Sequence, residues 1–365
     1  MTQLIDVKTD THIWSETWDR SFDDIFIIQD EIAQAVVNEL RIRLFGNTPR
    51  TVATSPEAYS LYLQGQYLYA QRNVASHLQA KEVFKQALDI DRQYVAAWLG
   101  LAEVYDRSAN VTNLSREESN ALVLEAVNEA LRLDANNARA HSLLGRIAMF
   151  EGDIETATRK MQQALALAPN DPVVLGKARS LYLRIGELDE AIRLGEKRTL
   201  LDPVAPGAWY QLGGAYFVAG RLDHAQRAYR RAIELSPEGI GYHARLGAVI
   251  LLSGNHDAAL ASMNKEVVDG RRIASRALVY QAMGDEERAR GELETLIELG
   301  YQWTYEIAQN YAFRGELDEA FAWLDRAFDR RDSALVYAAG DPFLDNLRDD
   351  PRFDHVLDRL AIKSP

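Results

Sequence analysis

The sequence predicts an all-α fold, a superhelical solenoid of about eight helix–turn–helix repeats, preceded by a small N-terminal β-hairpin and helix. One glycine, one alanine and one proline recur with a common period of 34 residues. The recurring residues are Gly152, Gly186, Gly220 and Gly254, then Ala157, Ala191, Ala225 and Ala259, then Pro169, Pro203 and Pro237. Three residue types that keep one period in one phase indicate stacked helical hairpins, because each unit buries its apolar face against its neighbours.

Residues 1–50 do not follow this period and are predicted to form a separate unit. Two short segments of strand-forming composition, 3–7 and 12–18, flank a turn at 8–11, and this pattern predicts a β-hairpin. A helix is predicted from Ser21 to about Phe45, because apolar residues recur every three to four positions along it. That apolar stripe consists of Ile25, Ile28, Ile32, Val36 and Leu40.

The second strand of the hairpin carries three large apolar residues, Ile13, Trp14 and Trp18. An isolated two-stranded hairpin is only marginally stable in water, so we expect these strands to find a further partner. One hypothesis is that they pair with the same strands of a second copy, which gives a homodimer with these three residues at its interface. The alternative is a hairpin folded back on its own helix and on the first repeat.

Residues 51–332 carry the repeats, of which the unit from Ala138 to Asp171 is the most regular. Gly145 and Ala157 are small because the two helices of the unit cross closest there. Gly152 is expected to end the first helix in the left-handed conformation that glycine adopts at little cost. The predicted units are 56–92, 93–136, 138–171, 172–205, 206–239, 240–269, 270–300 and 301–332.

The unit at 206–239 carries the spaced residues of a known repeat family. In order, these residues are Trp209, Leu212, Gly213, Tyr216, Gly220, Ala225, Tyr229, Ala232 and Pro237. They resemble the tetratricopeptide repeat (TPR), whose pattern is W-x2-L-G-x2-Y, then A-x3-F, then P. The resemblance implies a right-handed superhelix whose concave face is lined by the first helix of each repeat.

The N-terminal segment has a second resemblance. The runs Gln3–Asp6, His12–Trp14, Trp18–Arg20 and Gln29–Ala33 are similar to the closing part of the TolB-like α/β domain. That domain precedes TPR repeats in many bacterial class III adenylate cyclases and winged-helix transcriptional regulators. The cyclase or DNA-binding domain is not in this sequence, so the resemblance implies only the ligand- or partner-sensing half of such a protein.

Residues 333–365 repeat no pattern and are predicted to form C-terminal capping helices. Asp341-Pro342 and Asp350-Pro351 each place proline at the first position of a helix, where its missing N–H does no harm. We expect this segment to cover the open face of the last repeat.

The concave positions of the regular repeats carry basic residues and no carboxylate, although the net charge of the chain is −13. This contrast predicts a groove for an acidic or carboxylate-ended peptide, with Tyr210 and Phe217 as apolar contacts. The alternative interpretation is a set of solvated helix faces without a binding role. The predicted partner-binding residues are Arg139, Ser142, Arg146, Lys177, Ser180, Tyr210, Gln211, Phe217 and Arg245.

No pattern in the sequence points to catalysis. It contains no phosphate-binding loop, no H-E-x-x-H, no G-x-S-x-G and no cysteine. His141 and His243 fall on the repeat position of Trp98 and Trp209, which favours a packing role over metal binding. We therefore predict a non-enzymatic scaffold or adaptor without cofactor or metal. The alternative function is a sensing or regulatory module of a cyclase- or transcription-factor-type signalling system.

Charge and hydropathy bear on the partners and the location of the protein. The net charge of −13 disfavours nucleic acid and anionic membrane as partners, because both attract basic surfaces. The longest apolar run, Leu246–Leu252, is far shorter than the ~20 residues that span a bilayer. The N-terminus shows no signal-peptide pattern. We expect a cytoplasmic protein.

Overall fold

A computed structural model describes residues 2–6, 11–16, 54–71, 74–112 and 114–360. The chain divides into two units, residues 1–53 and 54–365. In the first unit, strands β1 (Thr2–Asp6) and β2 (Thr11–Glu16) pair antiparallel, with Leu4 opposite Trp14. Residues 7–10 and 17–53, where the turn, Trp18 and the amphipathic helix are predicted, lie outside the described residues. The hairpin-and-helix unit as a whole therefore stays a prediction.

The second unit is a stack of helical hairpins. Within its described residues, eight pairs of antiparallel helices follow one another, as many as the repeats that the sequence predicts. The pairs are α1 (Pro56–Ala70) with α2 (Val74–Ile90), α3 (Val95–Val111) with α4 (Arg116–Leu133), α5 (Ala138–Glu151) with α6 (Ile154–Leu167), α7 (Pro172–Arg184) with α8 (Leu188–Leu201), α9 (Pro206–Val218) with α10 (Leu222–Leu235), α11 (Tyr242–Leu252) with α12 (His256–Met263), α13 (Asp269–Ala282) with α14 (Glu286–Glu298), and α15 (Thr304–Arg314) with α16 (Leu317–Asp329).

Small residues allow the two helices of a pair to approach closely. A Cβ atom added to Gly65 of α1 would lie 2.6 Å from the Phe84 ring of α2. At Gly213 of α9 the corresponding distance to the Tyr229 ring of α10 is 2.7 Å. The aromatic ring therefore occupies the space that a side chain would need, and a larger residue at either glycine would push the pair apart.

A left-handed glycine ends the first helix in the last six pairs. At the end of α5, Gly152 has φ of 82°, its N–H is donated to Met149 O, and the next N–H, of Asp153, is donated to Ala148 O at 2.9 Å. The other five glycines are Gly186, Gly220, Gly254, Gly284 and Gly315, with φ between 68° and 82°. This motif satisfies carbonyls that the helix end leaves free, and it confirms the turn predicted from the 34-residue glycine period.

Two glycines with open surroundings offer a matched test of this interpretation. Replacing Gly220 (φ 68°) with alanine should lower the free energy of unfolding by about 1–2 kcal/mol, because an L-residue is strained in that conformation. Replacing Gly291, inside α14, should instead raise the free energy of unfolding by about 0.5–1 kcal/mol through helix propensity. An added Cβ meets nothing within 4 Å at either site, so sterics do not confuse the comparison. Urea denaturation followed by circular dichroism measures both effects, and shifts of the same sign would contradict the assignment.

The C-terminal residues differ from the predicted capping helices. Residues 333–340 and 342–347 form two 3-10 segments, and only Pro351–Arg359 forms an α-helix, α17. The first segment packs against α7 and α9, and the second against α15. We call residues 333–347 the groove segment, because it lies on first helices of the repeats. Its run from Ala334 to Ala339 contains no charged residue, so enclosure between helices is favourable along its whole length.

Helix α17 packs on α16, the second helix of the last pair. Arg352 forms an ion pair with Asp318 at 2.7 Å, and its guanidinium lies 4.3 Å from the centre of the Phe321 ring. Phe353, Val356 and Leu357 of α17 are buried in the same cluster as Phe321. The apolar stripe of α17 therefore covers the exposed end of the stack.

No helix within the described part of the chain combines the length and the apolar character that crossing a membrane requires.

The concave face and its occupants

The basic residues predicted to bind a partner are engaged by carboxylates of the chain itself. Arg139 Nε donates to Asp171 Oδ2 at 2.7 Å, and Lys177 Nζ lies 2.6 Å from Glu103 Oε1. Arg146 forms an ion pair with Asp106 in the same region. An acidic peptide on this face would have to compete with three internal carboxylates.

The sequence does not single out Glu103 and Asp106 as partners of these cations, because the predicted concave positions were those of the regular repeats only. With Trp98 at the fourth position of its repeat, Glu103 and Asp106 fall at the ninth and twelfth positions of α3, which also face the concave side. The repeat of α3 carries an insertion before α4 and is not one of the regular repeats. The signal was present in the sequence, since these positions hold Arg146 and Met149 in the next repeat.

The polar residues in the centre of the groove are bonded internally as well. Ser180 Oγ donates to Gly176 O at 3.1 Å, and Gln211 Oε1 accepts from Arg198 Nη1 at 2.5 Å. Arg179, which is almost fully buried, donates to the Gln211 backbone carbonyl at 3.2 Å. Burial lowers the pKa of Arg179.

Two of the predicted contact residues are inaccessible, which corrects the prediction for them. Ser142 is fully buried and donates to Arg139 O at 2.7 Å. Phe217 is also fully buried, and its ring centre lies 6.3 Å from that of Phe343 in the groove segment. Ser142 is thus enclosed within its own repeat, and Phe217 cannot reach a partner while the groove segment is in place. Tyr210 stacks on Tyr242 with 4.8 Å between ring centres.

Arg245 lies between the repeats and the groove segment. Its guanidinium is 4.9 Å from the Tyr337 ring centre and 5.9 Å from that of Phe217. Cation–π contacts of this kind are stronger in a desolvated site. Arg245, which sequence reasoning assigned to a partner, therefore holds the groove segment instead.

A buried carboxylate completes this attachment. Asp341, fully buried, accepts hydrogen bonds from Tyr305 Oη at 2.8 Å and Gln309 Nε2 at 2.6 Å. It also accepts from the backbone N–H of Phe343 at 3.0 Å and so caps the second 3-10 segment. Burial raises the pKa of the Asp341 carboxyl, and Arg245 and these hydrogen bonds oppose that rise.

The groove segment is bound too strongly to be an exchangeable ligand. Five of its apolar side chains are buried: Leu335, Val336, Phe343, Leu344 and Leu347. At about 1.5–3 kcal/mol each, their burial contributes roughly 7–15 kcal/mol. A competing peptide would need about the whole binding free energy of a nanomolar complex, ~12 kcal/mol, to replace them. We therefore treat the centre of the groove as core.

Two concave positions of the first repeat, Tyr59 and Leu63, are exposed. Tyr59 and Leu63 of α1 are 50% and 48% exposed, and Tyr67, one turn further on, is 68% exposed. Gly65 and Gly213 both lie against the aromatic ring of the following helix, which aligns their repeats. In that alignment Leu63 takes the place of Gln211, a concave position. These side chains form an apolar patch that we call the α1 patch, defined by Tyr59, Leu63 and Tyr67.

The fold and its turns define the class of this protein. Residues 206–238, which comprise α9, the Gly220 turn and α10, match the family model of the tetratricopeptide repeat. With eight stacked helix pairs and the recurring left-handed turn, the chain is a TPR protein. Proteins of this class serve in general as protein-interaction scaffolds.

Among the described residues, no group of three or more histidine, aspartate or glutamate side chains is placed to hold a metal ion.

Solved structures with the same fold include those of IFIT1. A monomeric mutant of IFIT1 with Gppp-AAAA is 15% identical, with a TM-score of 0.58 over 85% of this chain and 82% of that one. The human IFIT1 dimer with PPP-AAAA is 17% identical, with a TM-score of 0.57 over 84% of this chain and 80% of that one. At this identity the likeness concerns the fold alone.

A curated relative comes from Rhizobium meliloti (strain 1021) and is named "Putative adenylate cyclase 3". It is 31% identical over 147 residues, which are 39% of this chain and 25% of the relative. The match thus spans about a quarter of that relative's length. It agrees with the resemblance to cyclase-associated repeats, whereas the TolB-like and winged-helix details stay predictions.

Proposed function

We propose that this protein is a non-enzymatic scaffold that binds a protein partner on the concave face of its first repeats. The observation that supports this proposal is the α1 patch, where three large apolar side chains are exposed on one side of a helix. Further along the stack, the groove segment packs on α7, α9 and α15 and covers apolar side chains such as Phe217. An exposed apolar stripe at helical spacing suits the apolar face of a partner helix or strand.

The charge of the site limits the partner further. Of the three paired groove cations, Arg139 is the most exposed, with 42% of its side chain accessible, against 24% for Arg146 and 12% for Lys177. An acidic side chain of the partner could therefore compete with Asp171 for Arg139 more readily than for the other two. We propose a partner segment with apolar residues and an acidic flank, and the net charge of −13 argues against nucleic acid.

The test is affinity capture with three forms of the full chain. We expect some proteins to be enriched by the unaltered chain and lost when Tyr59 and Leu63 are both replaced by serine. The matched control replaces Leu200 and Val204 by serine; these are 82% and 69% exposed and lie far along the chain from α1. Binding of an identified partner to each form is then measured by calorimetry. Capture that does not depend on the α1 patch would place the site elsewhere, and absence of any specific partner would contradict the scaffold function.

We also propose self-association through the hairpin, with Ile13, Trp14 and Trp18 at the interface. The support is the marginal stability of an isolated two-stranded sheet. Light scattering on the full chain and on a chain beginning at Ser55 tests this. A dimer that becomes a monomer in the shorter chain is the expected result, and two monomers would exclude it.

A further inference from the structure

A cavity lies away from the α1 patch, where the ends of several helices meet. It has a volume of about 220 Å³, well above the ~10–15 Å³ that a single water molecule needs. Phe150 at the end of α5, Arg184 at the end of α7 and Phe328 near the end of α16 line it. Arg331, Leu335 and Arg359 complete most of the wall. The walls thus combine three cations with apolar surface.

Arg184 is the unusual member of this set. It is only 6% exposed, and its Nε has no hydrogen-bond partner. Among the residues that the structure describes, no carboxylate pairs with it, and burial alone lowers the pKa of its guanidinium. A buried charge without a partner is costly, and proteins pair almost all such groups. The structure therefore leaves a cation that lacks its counter-charge beside an open cavity.

The other two arginines have partners on their outer sides. Arg331 lies 2.9 Å from Glu117, and Arg359 forms ion pairs with Asp325 and, at 3.9 Å, with Asp329. Both keep about a third of their side chain accessible. They contribute positive potential to the cavity. Because both are already paired with carboxylates, neither would hold an anion by itself.

Two carboxylates also line the cavity, and neither neutralises Arg184. Asp332 accepts hydrogen bonds from Ala334 N at 2.9 Å and Thr304 Oγ1 at 3.1 Å, so it is engaged elsewhere. Glu151 is exposed to solvent and forms no ion pair with Arg184. On the far side of the wall, Arg116 and Arg146 each lie 5.3 Å from the centre of the Phe150 ring. Among the residues that line the cavity itself, three arginines stand against two carboxylates.

A structural explanation for Arg184 would be its position in the last turn of α7, where the helix dipole favours a cation. That effect is small and acts mostly at exposed ends, whereas burial of an unpaired guanidinium costs considerably more. The repeat turn at Gly186 needs no arginine before it, since the equivalent residues before Gly152 and Gly220 are Phe150 and Val218. The helix end therefore does not account for a buried arginine here.

We propose that this cavity binds a small organic anion, with its phosphate or carboxylate group on Arg184 and its apolar body against Phe150, Phe328 and Leu335. A charged hydrogen bond to a desolvated guanidinium is the strongest polar contact the site can offer. The apolar wall selects an organic anion over a free inorganic one.

The experiment uses the full chain and four probes: phenyl phosphate, benzoate, inorganic phosphate and the neutral benzamide. Binding is measured by calorimetry and by the rise in Tm with probe concentration. We expect phenyl phosphate or benzoate to bind, inorganic phosphate to bind more weakly and benzamide not to bind. The better of the two anions identifies the head group. Arg184→Met keeps the apolar stem and should weaken binding at least about tenfold.

The control is Arg193→Met, which removes an exposed arginine of α8 that pairs with Glu190 and should leave binding unchanged. If Arg184→Met does not fold, Arg184→Gln provides the same comparison. The proposal is overturned if neither organic anion binds the unaltered chain, if benzamide binds equally well, or if the Arg184 variant retains full affinity.

Discussion

Replacement of Phe343 with alanine should lower the free energy of unfolding by about 3–5 kcal/mol. Phe343 is 2% exposed, and its ring lies edge-on to Phe313 with 5.5 Å between ring centres. It also packs against Phe217 of α9, so one side chain joins the groove segment to two repeats. Its loss would leave a cavity between the groove segment and α9, which are more than a hundred residues apart in the chain. Urea denaturation followed by circular dichroism measures the effect.

The matched control is Leu200→Ala, since Leu200 is large and apolar but 82% exposed. We expect this change to stay within about 0.5 kcal/mol of the unaltered chain. Equal effects of the two substitutions would show that the groove segment does not hold the repeats together. In that event the centre of the groove would again be open to a partner.

The second large effect is expected from reversing the charge of Lys177. Replacing it with glutamate would place a second carboxylate beside Glu103, in a site where these side chains are 12% and 20% exposed. Loss of one partner of a buried pair leaves an uncompensated charge, so we expect about 3 kcal/mol of destabilisation. Denaturation at low and high salt measures it, and high salt should restore little because the site is poorly screened.

Exchange of the two charges provides the control. In the Glu103→Lys/Lys177→Glu variant the ion pair is reformed in the opposite sense, and most of the lost stability should return. The coupling free energy of the double-mutant cycle then reports the direct interaction. A double variant as unstable as the sum of the singles would mean that the two side chains do not interact. Charge reversal at Lys177 or Arg146 is accordingly unsuitable as a simple test of partner binding.

The internal pairs change the interpretation of the concave face. Lys177 and Glu103 belong to α7 and α3, so their contact connects repeats that are not neighbours in the stack. Together with the groove segment, this contact adds long-range connections to a fold that otherwise depends on nearest neighbours. We expect unfolding to be more cooperative than in an open array, and the surface of the concave face that can bind a protein partner to be confined to the first repeats.

The repeats themselves could be predicted from the sequence because each unit is held by local interactions. The period of Gly152, Gly186 and Gly220 fixed the turns, and Gly145 and Ala157 marked the helix crossing. An added Cβ at Gly145 would lie 3.1 Å from Ala157 O, as expected for a close crossing. These features depend on residues within about 34 positions of each other, and a single sequence displays such spacing directly.

The candidate site could be predicted only in part. The predicted concave residues lie in first helices of the repeats, but the partners of Arg139, Arg146 and Lys177 lie 32 to 74 residues away. Nothing in the periodicity of one repeat specifies which carboxylate of another will face it. The buried, unpaired Arg184 carried no signal in the sequence, because an arginine at a helix end is ordinary until its surroundings are known.

The sequence alone determined that this protein is a stack of about eight helical hairpins, because helix propensity, turn glycines and small crossing residues act over short distances. Only the tertiary structure decided what the concave face does. There, curvature brings α3, α7 and residues 333–347 together, so that ion pairs and apolar packing fill most of the groove. The α1 patch and the Arg184 cavity remain accessible, and the repeat period by itself predicts neither of them.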